Sequence, residues 1–263
     1  MMDLQALLRH ERAIILCGIV AVVALSWAYL WQGAGMGMTA LDMTTLSLFP
    51  HRQPGMEGSM EASWWIVAAM WWVMMVAMMV PSATPLVLLY AKVLERQPVS
   101  LAGRYAATSL LLAGYLAVWL AFAATAATLQ KMLEPTGLIS AMMLWSRSAA
   151  LSAAVLAAAG LYQFSGLKRA CLTQCRSPVH FLTRYARPGI GAGFMLGMRH
   201  GAFCVGCCWL LMALLFVGGI MNLAWIAALM LLVLVEKLMP AGAAFGKVSG
   251  ALLLVWAVAT LLV

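Results

Sequence analysis

Charged residues are scarce in this sequence: Asp, Glu, Lys and Arg make up 9% of the 263 residues, and only eight are acidic. Hydrophobic residues make up 65%, which is more apolar surface than a soluble domain of this length can bury. A Gly-rich phosphate loop, a Ser/His/Asp signature and internal repeats are also lacking. These absences exclude a water-soluble fold, and they give no support to nucleotide hydrolysis or serine-type catalysis.

Long apolar runs are what the sequence has instead. Six runs of about 17 to 28 residues can each cross a bilayer as a helix, and a seventh, from Gly250 to Val263, is shorter. We therefore expect an all-α polytopic transmembrane bundle of about seven spans, or six, as one integral membrane domain over residues 1–263. No small-residue cleavage site follows the first run, so we expect it to be retained as a helix. The six runs begin near Ala13, Trp64, Tyr105, Ser148, Ile190 and Ile220.

Basic residues outnumber acidic ones, and the formal net charge is +8. They lie in short segments between apolar runs, which favours membrane topology over nucleic-acid binding. With the N-terminus inside, only Arg52, Lys131 and Arg147 lie in outer loops, while Arg199 lies early in a span. The remaining basic residues lie in inner segments, as the positive-inside rule predicts: Arg9, Arg12, Lys92, Arg96, Arg104, Lys168, Arg169, Arg176, Arg184, Arg187, Lys237 and Lys247.

Three thiols lie close together in the fifth span, within FCVGCCWLLM (203–212). On a helix, His200, Cys204 and Cys207 project within about 60° of one another, and Cys208 and Met212 continue the stripe. Sulfur and imidazole ligands suit Cu(I) or Zn²⁺, and lipid cannot stabilise a bare cation, so such a site must face the bundle interior. The alternative is that these cysteines are only small apolar core residues.

Methionines form a second sulfur-rich group, in the second span. Met70, Met74 and Met78 lie on one helical stripe, and Met79 lies on the other side, just before Pro81. Proline removes a backbone hydrogen bond and can open a polar cavity in a membrane helix. Met74, Met78 and Met79 are therefore candidate metal ligands, although methionines more often fill gaps in a core.

The loops and helix ends add further candidates. The basic inner loop 165–188 holds Cys171 and Cys175, which are either two surface thiols or a pair that receives or releases a soft metal. Glu236 with Lys237 is a helix-end ion pair, a lysine whose amine reaches towards water, or an intramembrane acid with a role in proton or ion passage. The outer loop 33–62 is rich in methionines that could collect Cu(I), or it is a flexible interfacial segment: they are Met36, Met38, Met56 and Met60.

Four segments together resemble a prokaryotic family of predicted metal-binding integral membrane proteins, a domain of unknown function. They are MWWVMMVAMMVPSATP (70–85), YQFSGLKRACLTQCRSP (162–178), CVGCCWLLM (204–212) and GGIMNLAWIAALMLLVLVEK (218–237). Ser165 and Gly166 stand where we expect a proline, which leaves the local turn open. The resemblance implies a multi-pass protein of the prokaryotic inner (plasma) membrane with metal ligands among Met78, Met79, Cys171, Cys175, Cys204, Cys207, Cys208, Met212, Met221, Asn222 and Glu236.

The leading hypothesis is a soft-metal protein, for copper(I) before zinc, that holds the ion between the second and fifth spans. It would take part in metal transport, delivery or homeostasis, with the lipid bilayer and a metallochaperone or metalloenzyme as partners; no nucleic acid and no enzymatic activity are expected. A transmembrane thiol–disulfide electron carrier is the alternative, and an accessory subunit without metal is a second. The methionines favour metal, because thioethers contribute nothing to dithiol exchange.

Overall fold

The computed structural model of the protein describes residues 4–35, 41, 44, 62–139, 146–187 and 189–262. Within these ranges it is helical, with no β-strand beyond one isolated bridge between Ile139 and Ser146. The outer-loop methionines Met36, Met38, Met56 and Met60 lie outside the described residues. The helices are α1 (Leu4–Trp31), α2 (Trp64–Leu94), α3 (Leu101–Leu133), α4 (Ala149–Gln163), α5 (Gly166–Arg176), α6 (Pro178–Tyr185), α7 (Ile190–Ala213), α8 (Leu215–Gly218), α9 (Leu223–Leu238) and α10 (Gly242–Leu262), with a short 3₁₀ turn at Glu134–Thr136.

Five of the described helices are long and apolar enough to cross a membrane, and the pair α4–α5, bent by 65°, makes up to six. This confirms the predicted all-α polytopic bundle, but with five to six candidate spans among the described residues rather than about seven. The run predicted from Ile220 is shorter than expected, because Asn222 caps α9: its side-chain oxygen accepts a hydrogen bond from the Trp225 amide (3.2 Å). At 16 residues, α9 is about 24 Å long, less than the roughly 30 Å of a bilayer's hydrocarbon core.

The last helix is longer than the sequence predicts. It begins at Gly242 rather than Gly250 and passes the length test for a span. Its glycines do not break it, because they allow α10 to pack closely on α4: a Cβ at Gly250 would lie 3.0 Å from the Gly160 carbonyl oxygen. Small residues at such crossings are the usual means of close packing between membrane helices.

Glycines also bring α3 and α7 together. Gly193, Gly197 and Gly201 recur every four residues on α7, so they form one stripe that faces α3. A Cβ at Gly197 would overlap the Leu111 carbonyl oxygen, and one at Gly201 would lie 2.9 Å from Val118. The two backbones are therefore in contact, which fixes the register between α3 and the thiol-bearing helix.

The predicted inner loop is mostly helical, as α5 and α6. Ser165 begins α5 as its N-cap, with its hydroxyl oxygen accepting a hydrogen bond from the Lys168 amide (3.1 Å). The turn at the position where a proline was expected is therefore the start of α5, with Ser165 as its N-cap. The chain bends here and α5 packs against α7 and α9, with Lys168 and Leu172 buried. Cys171 and Cys175 are thereby carried to the side of α7.

Candidate metal centre

The three thiols of α7 lie in the core of the bundle, among residues of α2, α3 and α9. Cys204, Cys207 and Cys208 are at most 1% exposed. The Cys207 thiol contacts the Cys204 carbonyl oxygen at 3.1 Å, and the Cys208 thiol contacts the same oxygen at 2.9 Å. These positions are consistent with the prediction that the three side chains face the interior of the bundle.

Cys204 is the junction of this cluster. Its sulfur lies 3.0 Å from the Tyr115 hydroxyl of α3 and 2.9 Å from Lys237 Nζ of α9. The Tyr115 hydroxyl also donates to the Met79 carbonyl (3.1 Å), and Lys237 Nζ also donates to the Ser82 hydroxyl (3.1 Å), both on α2. The sulfur therefore contacts α3 and α9 directly, and Tyr115 and Lys237 link it to α2.

The two thiols of α5 approach the same cluster. Cys171 and Cys175 pack against the cluster that contains Cys204 and Cys207, and the Cys175 thiol lies close to both of these thiols. The Cys171 sulfur packs on Gly206, where a Cβ would come within 2.8 Å of it. Cys171 and Cys175 are partly exposed as residues, whereas the three cysteines of α7 are buried. The five cysteines of α5 and α7 thus extend from a partly exposed pair into the buried core.

The candidate methionines share the core with the thiols. Met74, Met78, Met79 and Met212 are fully buried, and they belong to the same packed cluster as Cys204, Cys207 and Cys208. The Met79 carbonyl oxygen accepts the hydrogen bond from the Tyr115 hydroxyl, which keeps Met79 next to the thiols. These thioethers fill the core around the thiols, a position that is compatible with both packing and ligation.

His200 lies one helical turn before Cys204 and is 3% exposed. Its ring is held between those of Tyr115 and Phe181, at centroid distances of 5.7 and 5.1 Å. Its Nδ1 has no hydrogen-bond partner within the described ranges. Buried polar nitrogens are nearly always paired, so an unpartnered Nδ1 beside a thiol cluster marks His200 as a candidate ligand.

Glu236 faces a different part of the bundle from its neighbour Lys237. Its carboxylate accepts hydrogen bonds from Lys168 Nζ (2.7 Å) and from the Gln163 side-chain amide (2.8 Å), and Lys168 and Glu236 are each 2% exposed. The helix-end pair between Glu236 and Lys237 that the sequence suggested is therefore wrong. Neighbouring residues on a helix point about 100° apart, which separates the two charges.

Four polar residues that complete the site have no recognisable signal in the sequence, because their spacing matches no motif: Tyr115, Ser82, Gln163 and Lys168. The one available sign was the presence of two charges, Glu236 and Lys237, next to a long apolar run, since intramembrane charges commonly have a functional partner.

In this structure the thiols are not arranged as a ready metal-coordination site. In the part of the chain that the structure describes, no three His, Cys, Asp or Glu side chains are grouped so as to hold a metal ion. The thiols instead contact one another, a carbonyl and an ammonium group. A bound ion must therefore replace contacts such as those of Cys207 and Cys208 with the Cys204 carbonyl. The donor set itself, thiols and thioethers in a dry core, fits a soft ion.

These features define a class of protein: an all-α polytopic bundle with a sulfur-rich interior. The family model described as PpoB2, copper chaperone, matches residues 67–260, and the chain belongs to this family. No curated protein and no solved structure matches the chain. The matched range contains every cysteine of α5 and α7 as well as Tyr115 and Lys237. It agrees with the metal-related family that the sequence motifs predicted.

Proposed function

We propose that this protein is a multi-pass protein of the prokaryotic inner membrane, with its N-terminus inside, that binds Cu(I) in its core and delivers or transports it. The gathering of Cys175, Cys204, Cys207 and Cys208 from two helices is the observation that carries this proposal. A copper chaperone family supports it, and so does the chemistry of the cluster, because thiolates and thioethers prefer Cu(I) to harder ions.

The proposed ligands follow from burial and proximity. Cys204 and Cys207 would hold the ion as two thiolates, with the thiols of Cys175 and Cys208 beside them. The buried thioethers, Met212 of α7 and Met74, Met78 and Met79 of α2, are within the same core and would supply weaker ligands. His200 would supply the one imidazole. Zinc is the second candidate metal, because thioethers are weak ligands for Zn²⁺.

The partly exposed cysteines of α5 would provide a path for the copper ion into and out of the core. Cu(I) would enter or leave at Cys171, move to Cys175 and then reach the buried thiols of α7 by stepwise ligand exchange. The sequence holds no nucleotide-binding loop, so movement would follow a gradient or be coupled to a partner. A soluble metallochaperone on the inner side or a membrane metalloenzyme would be that partner.

The first test is metal content. The protein is purified in detergent under reducing, anaerobic conditions, and bound copper and zinc are measured per chain. The variant Cys204→Ser/Cys207→Ser/Cys208→Ser is compared with Cys17→Ser, which changes the exposed thiol of α1. We expect about one copper per chain in the wild type and in the control, and loss of copper in the triple variant. Equal copper in all three proteins would refute the proposed site.

The same preparation tests the electron-carrier alternative. Cys175 lies close to Cys204 and Cys207, so a dithiol–disulfide couple would have to link α5 with α7. Exchange requires an accessible thiolate, and the thiols of α7 are buried. A reversible disulfide in a metal-free protein would support this alternative, and neither metal nor disulfide would support the accessory subunit.

A further inference from the structure

Lys237 places an ammonium group inside the thiol cluster. Lys237 is 5% exposed, and its Nζ lies 2.9 Å from Cys204 Sγ and 3.1 Å from Ser82 Oγ. A lysine near the end of a membrane helix ordinarily extends its amine towards water. Here the amine is turned into the core instead, towards the sulfur that joins the helices.

No carboxylate is a hydrogen-bond partner of this ammonium in the described ranges. The nearest acid in sequence, Glu236, is already paired with Lys168 at 2.7 Å and with Gln163. That pair is neutral as a unit and belongs to the interface between α9 and α5. Within these ranges the partners of this ammonium are the Cys204 thiol and the Ser82 hydroxyl, and a buried charge without a counter-charge is strongly unfavourable.

The charge of Lys237 changes which ion the cluster can hold. Thiols lose their protons when they bind a metal, so Cu(I) on two thiolates carries a net charge of −1. The ammonium of Lys237 brings this total to zero, whereas Zn²⁺ on the same two thiolates would bring it to +1. For any fixed number of thiolates, a cation beside the sulfur shifts the preference towards the metal ion of lower charge, because it repels the divalent ion more strongly.

We propose that Lys237 is a charge-balancing residue that makes the thiol cluster prefer monovalent copper to divalent zinc. This inference rests on the proposed function, since it assigns a determinant of metal choice to the same site. Lys237 is a positioning and selectivity residue and not a metal ligand, because its ammonium donates hydrogen bonds and has no free electron pair.

The test compares affinities for Cu(I) and for Zn²⁺, each measured anaerobically in competition with a chromophoric chelator. Lys237→Leu removes the charge without adding a sulfur ligand, and Lys237→Arg keeps the charge. Lys247→Leu is the matched control, because Lys247 is exposed on α10. We expect Lys237→Leu to weaken Cu(I) binding by at least about tenfold and to shift the copper-to-zinc ratio towards zinc. Arginine and the control should keep the wild-type ratio.

Ser82→Ala separates charge from packing, because it removes the other contact of Lys237 and leaves the ammonium in place. It should keep the preference for copper. The inference is overturned if Lys237→Leu keeps the wild-type ratio or shifts it towards copper, or if Ser82→Ala shifts it as far as Lys237→Leu does. Should Lys237→Leu not fold, Lys237→Gln is judged by the same outcomes.

The two proposals fail in different ways. If the wild-type protein binds no copper, the proposed function is wrong. If the wild type binds copper and the uncharged variants keep its selectivity, the metal site stands and only the role of Lys237 is wrong.

Discussion

The buried ion pair between Lys168 and Glu236 holds α5 against α9 and so keeps Cys175 beside the thiols of α7. Each partner is 2% exposed, and the contact is 2.7 Å long. Glu236→Gln removes the charge but keeps an oxygen that can accept the hydrogen bond from Gln163. Lys168 is then left as an uncompensated buried cation, which should lower the free energy of unfolding by about 3 to 5 kcal/mol. Lys168→Met should have an effect of similar size, because it strands the carboxylate.

The double variant Lys168→Met/Glu236→Gln makes this prediction specific. Removing both charges leaves neither one stranded, so it should lose less stability than either single variant. Denaturant unfolding in detergent, followed by circular dichroism, measures all three against Lys247→Met, an exposed control. Single variants that each lose less than about 1 kcal/mol, or losses that simply add in the double variant, would refute a buried, mutually compensating pair. The single variants should also retain less copper than the double variant, since α5 is loosened only in them.

Three further predictions concern the helices that carry the cluster. Gly197→Leu should prevent α3 and α7 from packing and abolish folded protein in size-exclusion chromatography, whereas Gly191→Leu on the same helix, with open space around it, should fold normally. Tyr115→Phe removes the hydroxyl that contacts the thiol cluster and should lower stability by about 1 to 3 kcal/mol, with unchanged stability as the contrary result. Met212→Leu keeps the volume of the core but removes a thioether, so it should weaken Cu(I) binding several-fold. The control Met195→Leu, at an exposed position, should leave the affinity unchanged. Equal affinities of the Met212→Leu variant and the wild type would assign Met212 to packing alone.

Hydropathy was enough to locate most of the helices. Both α2 and α7 begin where the apolar runs begin, at Trp64 and Ile190, because a long apolar run in lipid has to be helical to satisfy its backbone. The same reasoning misplaced the start of α10, since it treats glycine as a breaker. Helix packing overrides that preference where a glycine allows two backbones to touch, as Gly250 does against α4.

The metal centre could be predicted only in part. Helical spacing placed Cys204, Cys207 and Cys208 near one another, because all three lie on one element. The approach of Cys175 depends on how α5 folds back against α7, which spacing within a single helix does not encode. The direction of Lys237 depends likewise on the neighbours of α9. Hydropathy records that a charge is present but not which side of the bundle it faces.

The central claim is that buried sulfur binds Cu(I). X-ray absorption at the copper edge, on protein loaded with one Cu(I) per chain, tests it most directly. The account predicts a Cu(I) edge and a first shell made mainly of sulfur, which is lost in Cys204→Ser/Cys207→Ser/Cys208→Ser and kept in Cys17→Ser. A first shell of oxygen and nitrogen, or a sulfur shell that survives the triple substitution, would contradict it.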